Sequence, residues 1–211
     1  AIPEEYGGRM DYALFVHTFN TLLPPAQYFA EHPEYFMLDA EGKRIDRQLC
    51  TTNPDAIGIV TENVLRILDE NPHSEIISVS KNDGGGTCLC ERCKAIDDAE
   101  GTNMGALLCL VNKVAEAVAA KHPNVIVSTL AYLETVKPPK TMRPRSNVAI
   151  RLCTDNCMWA YPFTPAREIS AFHDAMTGWS AVHDRIHIWD YCVNFSHYTA
   201  PMPNLDAITD N

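Results

Sequence analysis

Residues 74–93 read SEIISVSKNDGGGTCLCERC, and no other stretch of the chain narrows the fold as much. Ile76 to Val79 is a short apolar run of strand length. It stops at Asn82-Asp83. Gly84, Gly85 and Gly86 then free the backbone and let it pass close to a ligand. Cys88, Cys90 and Cys93 close the stretch as C-x-C-x-x-C. An acid at the end of a buried strand, beside glycines, can point its carboxylate into a cleft. Asp83, with Asn82 beside it, is therefore the candidate chemical centre, and the cysteines are the clamp that shapes its loop. The competing use of Asp83 is local, bonding the backbone amides of the glycine turn.

Similar apolar runs recur along the chain. Tyr12 to Val16, Val125 to Ala131, Asn147 to Leu152 and Arg185 to Asp190 read as strands. Between them lie helix patterns. Asn53 is placed to cap a helix with Pro54 in its first position, and Ile57, Val60, Val64, Ile67 and Leu68 follow at helix spacing. Leu107, Leu108, Val111, Val114, Ala115 and Val118 mark a second helix, ended by His122-Pro123. Pro165 starts a third, running to about Trp179. Leu22 to Phe36 is aromatic and proline-rich, and reads as a long loop with one helical turn.

Strands that alternate with helices predict a parallel sheet covered by helices. Strands buried on both faces read as continuous apolar runs, as these do. Polar and aromatic residues collect after the strands: His17, Asn82-Asp83, Tyr132, Asp155 and Asp190. Chemistry at strand C-terminal ends is the habit of (β/α)8 barrels and of doubly wound sheets. No G-x-G-x-x-G follows a strand, which removes support for a dinucleotide fold. The expected architecture is α/β: one TIM-barrel-like (β/α)8 domain spanning residues 1–211. It is incomplete, because 211 residues fall short of the ~250 of a full barrel.

The chain opens at Ala1 and ends in NLDAITDN, so the expectation is a fragment truncated at both ends. Its signal peptide is not in this chain, and a secreted, periplasmic or cell-surface location is expected. The formal charge of −10 repels phosphate backbones and argues against nucleic acid. No segment approaches the roughly 20 apolar residues of a membrane span.

Cys88, Cys90 and Cys93 are close enough in sequence to share one metal, and tetrahedral zinc wants four thiolate or imidazole ligands. The fourth ligand is Cys50, with Cys153 and Cys157 as alternatives. Disulfides compete: Cys153 with Cys157, or Cys50 with a member of the triplet. Any zinc here is structural, and catalysis needs no cofactor. Cys109 sits on a helix stripe and reads as core.

Several segments together resemble a bacterial family known only as a domain of unknown function. They are HTF from His17, LLPP from Leu22, HPEYF from His32, LCTTNP from Leu49, SVSKNDGGGTCLCERC from Ser78 and IWDYCVNF from Ile188. That family is grouped with glycosidase-type (β/α)8 barrels. Its relatives include endo-β-N-acetylglucosaminidases of glycoside hydrolase family 163 and, more distantly, β-hexosaminidases. The resemblance implies hydrolysis of N-acetylhexosamine-containing glycans, in which the sugar's own acetamido group attacks the anomeric carbon. Such enzymes commonly carry an acidic pair at a strand end; here Asn82-Asp83 stands in its place. Asp83 would then be the general acid and Asn82 the group that orients the acetamide. Substrate would be lined by His17, Tyr132, Arg151, Trp189, Asp190 and Tyr191, with Asp190 as a possible second carboxylate. A non-catalytic carbohydrate-binding domain is the alternative.

Overall fold

The structure, a computed structural model, describes residues 8–155, 170–191, 193–200 and 202. Five strands form one parallel sheet in the order β1 (Tyr12–Leu14), β4 (Ile76–Ser78), β5 (Ile126–Ala131), β6 (Val148–Cys153) and β7 (Ile186–Trp189). Along the sheet the order never reverses. Among the described residues the sheet is open, with β1 and β7 at its edges, so a closed barrel is not formed by these residues. An antiparallel hairpin, β2 (Phe36–Leu38) and β3 (Arg44–Leu49), stands apart from it.

Among the described residues six α-helices accompany the strands: α1 (Phe19–Leu22), α2 (Pro25–Tyr28), α3 (Pro54–Glu70), α4 (Glu91–Glu100), α5 (Met104–Lys121) and α6 (Ser170–Ser180). The start expected for α6 at Pro165 lies outside the described residues. Helix α3 begins as its sequence demands. The Asn53 Oδ1 accepts from the amides of Asp55 and Ala56 at 2.9 and 3.1 Å, and Pro54 follows. Such a cap is worth about 1 kcal/mol. Val60, Val64 and Leu68 then bury one stripe. Helix α5 buries residues nearly all round because α3, α4 and the sheet pack against it. Among the described residues no single helix is long and apolar enough to cross a membrane.

Val148, Ile150 and Leu152 of β6 enter the main core with α5. Ala149, Arg151 and Cys153 alternate to the opposite face of the sheet. That face carries the strand-end chemistry. Under the hairpin sits a second core of Met37, Cys50, Cys88, Cys90, Cys93 and Ala106.

Between α4 and α5 the chain turns sharply. Gly101 takes the left-handed conformation (φ 68°), and a Cβ there would lie 2.8 Å from the Lys140 side chain. Glu100 accepts from the amides of Thr141 and Met142. Asp97 accepts from the Ala106 amide at 2.7 Å. Burial, against that hydrogen bond, raises the Asp97 carboxyl to about 6. The native state therefore keeps a proton that the unfolded chain releases near pH ~4. This contribution is full below about pH 4 and is lost as pH rises through about 6. Asp97→Asn keeps the acceptor and removes the titration. In urea melts between pH 4.5 and 7.5, the wild type should lose on the order of 2 kcal/mol relative to the variant. Parallel pH profiles would contradict this account.

Candidate functional site

The glycine loop after β4 has no regular structure, so side chains hold it. Gln48, 2% exposed, donates through Nε2 to the carbonyls of Asn82 and Gly84 and accepts from the Asn82 amide at 2.9 Å. Glu134, just past β5, accepts from the Gly86 amide and from Lys81 Nζ, the latter at 2.8 Å. Desolvation pushes the Glu134 carboxyl up, but the Lys81 hydrogen bond and charge and the backbone amides outweigh it, so the net shift is downward. Burial lowers the Lys81 ammonium against the pull of Glu134. Gly86 (φ 106°) could not carry a side chain without pressing on Met37, whose Cε would lie 3.1 Å from a Cβ.

Five side chains from the ends of four different strands meet in one hollow of about 100 Å³. They are His17 after β1, Asp83 after β4, Tyr132 after β5, and Trp189 and Tyr191 at β7; Val16, Leu130 and Cys153 complete the wall. Val16 holds a positive φ of 64°, an outlier for a β-branched residue. Strain of that kind costs on the order of 1–3 kcal/mol and clusters at functional sites. Its carbonyl accepts from Ser78 Oγ at 2.6 Å.

His17 Nδ1 lies 2.7 Å from the Lys81 carbonyl. A carbonyl only accepts, so Nδ1 carries the proton, and Nε2 faces Asp83 Oδ1 at 3.9 Å. The Asp83 side chain is 73% exposed and its Oδ1 also accepts from the Gly84 amide at 2.8 Å, so the local use weighed from sequence is present too. Burial raises both the Tyr132 and Tyr191 phenols, with Asp83 and Asp155 adding to it. Both hydroxyls thus stay protonated donors. Asp155 follows β6; burial raises its carboxyl, and its buried Oδ1 has no hydrogen-bond partner among the described residues.

Three of the residues expected at the site stand elsewhere. Asn82 does not line the hollow. Its amide donates to Asn20 Oδ1 and the Arg47 carbonyl, both at 2.8 Å, and accepts from the Asn20 amide. With both donors and the acceptor engaged, it holds the loop rather than presenting a free amide. Asp190 accepts from Thr154 Oγ1 at 3.2 Å and is not part of the lining. Arg151 lies beneath the hollow. Gln48, Lys81 and Glu134 were not singled out for the loop-holding role they have here.

Cys50, Cys88, Cys90 and Cys93 are all buried, and their sulfurs lie within 4.8 Å of one another. Cys50 Sγ is 3.6 Å from Cys90 and 3.9 Å from Cys93. Bonded sulfurs would lie about 2.05 Å apart, so these four are thiols, not disulfides. Sulfurs around a tetrahedral ion with bonds of about 2.3 Å stand near 3.8 Å from each other, which the Cys50 distances fit. Donors surround them as around a thiolate centre: Leu38 N at 3.4 Å and Arg44 Nη1 at 3.7 Å from Cys88 Sγ. Hydrogen bonds from Cys88 and Cys93 pull the Cys50 thiol down, while the hydrogen bond with Cys50 pushes Cys88 up to about 11, and those with Cys50 and Cys88, together with burial, push Cys93 up. Four buried sulfurs at this spacing fit a structural metal. Cys153 lines the hollow instead, and Cys157 and Cys192 lie outside the described residues. Cys109, expected in the core, is half-buried and faces an outer groove.

That groove, between α4, α5 and the 142–145 loop, is the larger hollow at about 810 Å³. Ile57, Ala95, Ile96 and Met142 give it an apolar floor, Arg92, Lys113, Arg143 and Arg145 are basic, and Glu116 is its one carboxylate. Convergent acids and hydroxyls occur instead at the strand ends, so the smaller hollow is the candidate site.

Two comparisons bear on identity. No curated protein matches the chain. A family model does match, over residues 2–211, and the chain belongs to that family, described as Domain of unknown function (DUF4838).

Proposed function

We propose that this chain is part of a glycosidase-type (β/α)8 barrel that hydrolyses N-acetylhexosamine-containing glycans. The observation that carries the reading is the meeting of His17, Asp83, Tyr132, Trp189 and Tyr191, from four strand ends, in one hollow. The unreversed strand order supports a barrel over a doubly wound sheet, whose order turns back at a switch point. In a barrel the strand C-terminal ends carry the chemistry.

Asp83 gives its proton to the leaving oxygen, and the sugar's acetamido group attacks the anomeric carbon. This substrate-assisted route is an established exception to the two-carboxylate rule. Asn82 is committed to the loop, so the acetamide is met by the protonated hydroxyl of Tyr132 or Tyr191. Trp189 offers its face to the sugar ring. His17, fixed by Lys81, presents Nε2 toward Asp83. Asp155 holds a proton to higher pH than an ordinary aspartate and serves as the second carboxyl beside both phenols. The location proposed, outside the cytoplasm, follows from the substrate alone.

The exposure of Asp83 and its bond to Gly84 favour a second reading, a carbohydrate-binding domain without catalysis. One experiment separates the two. On aryl N-acetyl-β-glucosaminides and N-glycans, Asp83→Asn should lower turnover at least about 100-fold while sugar affinity changes little. Sugar binding by the wild type without turnover selects the second reading. Neither binding nor turnover removes both.

We further propose that Cys50, Cys88, Cys90 and Cys93 hold one structural zinc. It would fix Cys88, and with it the start of the segment after Gly86. Elemental analysis should find about one zinc per chain. Cys93→Ser should lose the metal and several kcal/mol of stability, on the order of a lost structural site. A protein that is metal-free and equally stable in chelator would overturn the assignment.

A further inference from the structure

Arg151 is 6% exposed, yet no carboxylate among the described residues lies within the 4.0 Å of an ion pair. Three aromatic rings surround its guanidinium, those of Tyr12, Phe15 and Trp189, with centroids 5.2, 5.0 and 5.7 Å away. Among the described residues its one side-chain hydrogen bond runs from Nη2 to the Tyr12 hydroxyl. The remaining donors of a five-donor fork are unused. His187, its register partner on β7, is held down by burial and by the charge of Arg151, so that imidazole is neutral. Cys153, two residues on, is pushed up by burial to about 12 and is a neutral thiol. The neighbours thus offer rings and neutral groups but no counter-charge. Cation–π contacts of about 0.5–2 kcal/mol each offset only part of what desolvating a guanidinium costs.

Register places this cation directly under the hollow. Arg151 pairs with Leu130 on β5, and the next inward-facing residue on β6, Cys153, pairs with Trp189. Leu130, Cys153 and Trp189 all line the hollow. Trp189 is shared, with its ring against Arg151 and its side chain in the wall. Phe15, on the other side, is 55% exposed, so one wall of the aromatic box faces solvent.

We propose that Arg151 forms an anion subsite at the base of the hollow, and that the sugar taken there carries a carboxylate, as uronic and sialic acids do. A planar carboxylate matches the unused edge of the fork in two parallel hydrogen bonds, which a neutral hydroxyl cannot do. This inference rests on the carbohydrate-binding reading above rather than on acetamide-assisted hydrolysis, because neither a uronic nor a sialic acid carries an acetamido group next to its anomeric carbon, and it names the class of sugar.

The test is calorimetry on the purified protein at low salt with three methyl glycosides: glucuronide, N-acetylneuraminide and neutral N-acetylglucosaminide. One acidic sugar should bind at least about 10-fold tighter than the neutral one and lose most of that margin at high salt. Which acid binds identifies the source of the carboxylate. Arg151→Met should abolish the preference. Should that variant not fold, Arg151→Lys keeps the charge and loses the fork, and should weaken the acidic sugar by about 5-fold or more while sparing the neutral one. Equal or better binding of the neutral sugar overturns the inference and leaves the sugar-binding reading standing, with Arg151 an internal cation only. Binding of none of the three overturns both.

Discussion

The buried carboxamide of Gln48 is the interaction on which the candidate site depends. Residues 81–90 contain no helix or strand, so their backbone groups have no ladder to join. A buried backbone without partners would cost about 1–3 kcal/mol per group. Gln48 answers three of those groups from the end of β3, and Glu134 answers a fourth from the end of β5. The loop is therefore suspended between a hairpin and the parallel sheet. Its far end runs into the cysteine cluster, where Cys50 joins the hairpin exit to Cys90 and Cys93. Asp83 sits between these anchors, on a backbone that is irregular but held at both ends.

Holding the loop in this way also sorts the charges around it. Lys81 and Glu134 neutralise each other where both are largely covered. Asp83 and Asp155 act on both phenols, and Glu134 still acts on Tyr132. Asp83 and Asp155 differ in surroundings: Asp83 is open to solvent, and Asp155 has a buried, unpartnered oxygen.

The legible parts of the fold were those whose signal is local. Buried parallel strands print continuous apolar runs, and four of the five strands lie within one residue of the runs that announced them at both ends; β1 ends at Leu14 rather than Val16. Asn53-Pro54 announced α3 through capping chemistry that needs only adjacent residues. Helix α4 escaped notice because its buried face uses Cys93, Asp97 and Glu100, two of them charged, so no apolar period shows. Strand β3, RIDRQL, is mostly polar and half exposed, and is a strand because β2 pairs with it. Cys109 looked like core beside Leu108, but one residue turns a helix by about 100°, enough to carry it from the core to the groove. Asn82 illustrates the harder limit. Its type and position suited a ligand, but its partners Asn20 and Arg47 lie 62 and 35 residues away in sequence. No local pattern reveals that its amide is already engaged.

Arg151 carries the same lesson in the opposite sense. A lone arginine in a buried strand, RLC after VAI, invites the assumption of a carboxylate partner across the sheet. The register instead sets Leu130 and His187 beside it, and rings stand around its guanidinium. Aromatic faces stabilise a cation without consuming its N–H donors, whereas a carboxylate partner would consume them. The cation is thus held in place while its hydrogen-bonding edge stays free. Val16 is forced into a positive φ between Phe15, which walls the guanidinium, and His17, which faces Asp83. One strained residue sets the directions of both neighbours, so the acid end and the cationic base of the hollow are aligned by the same short turn of backbone.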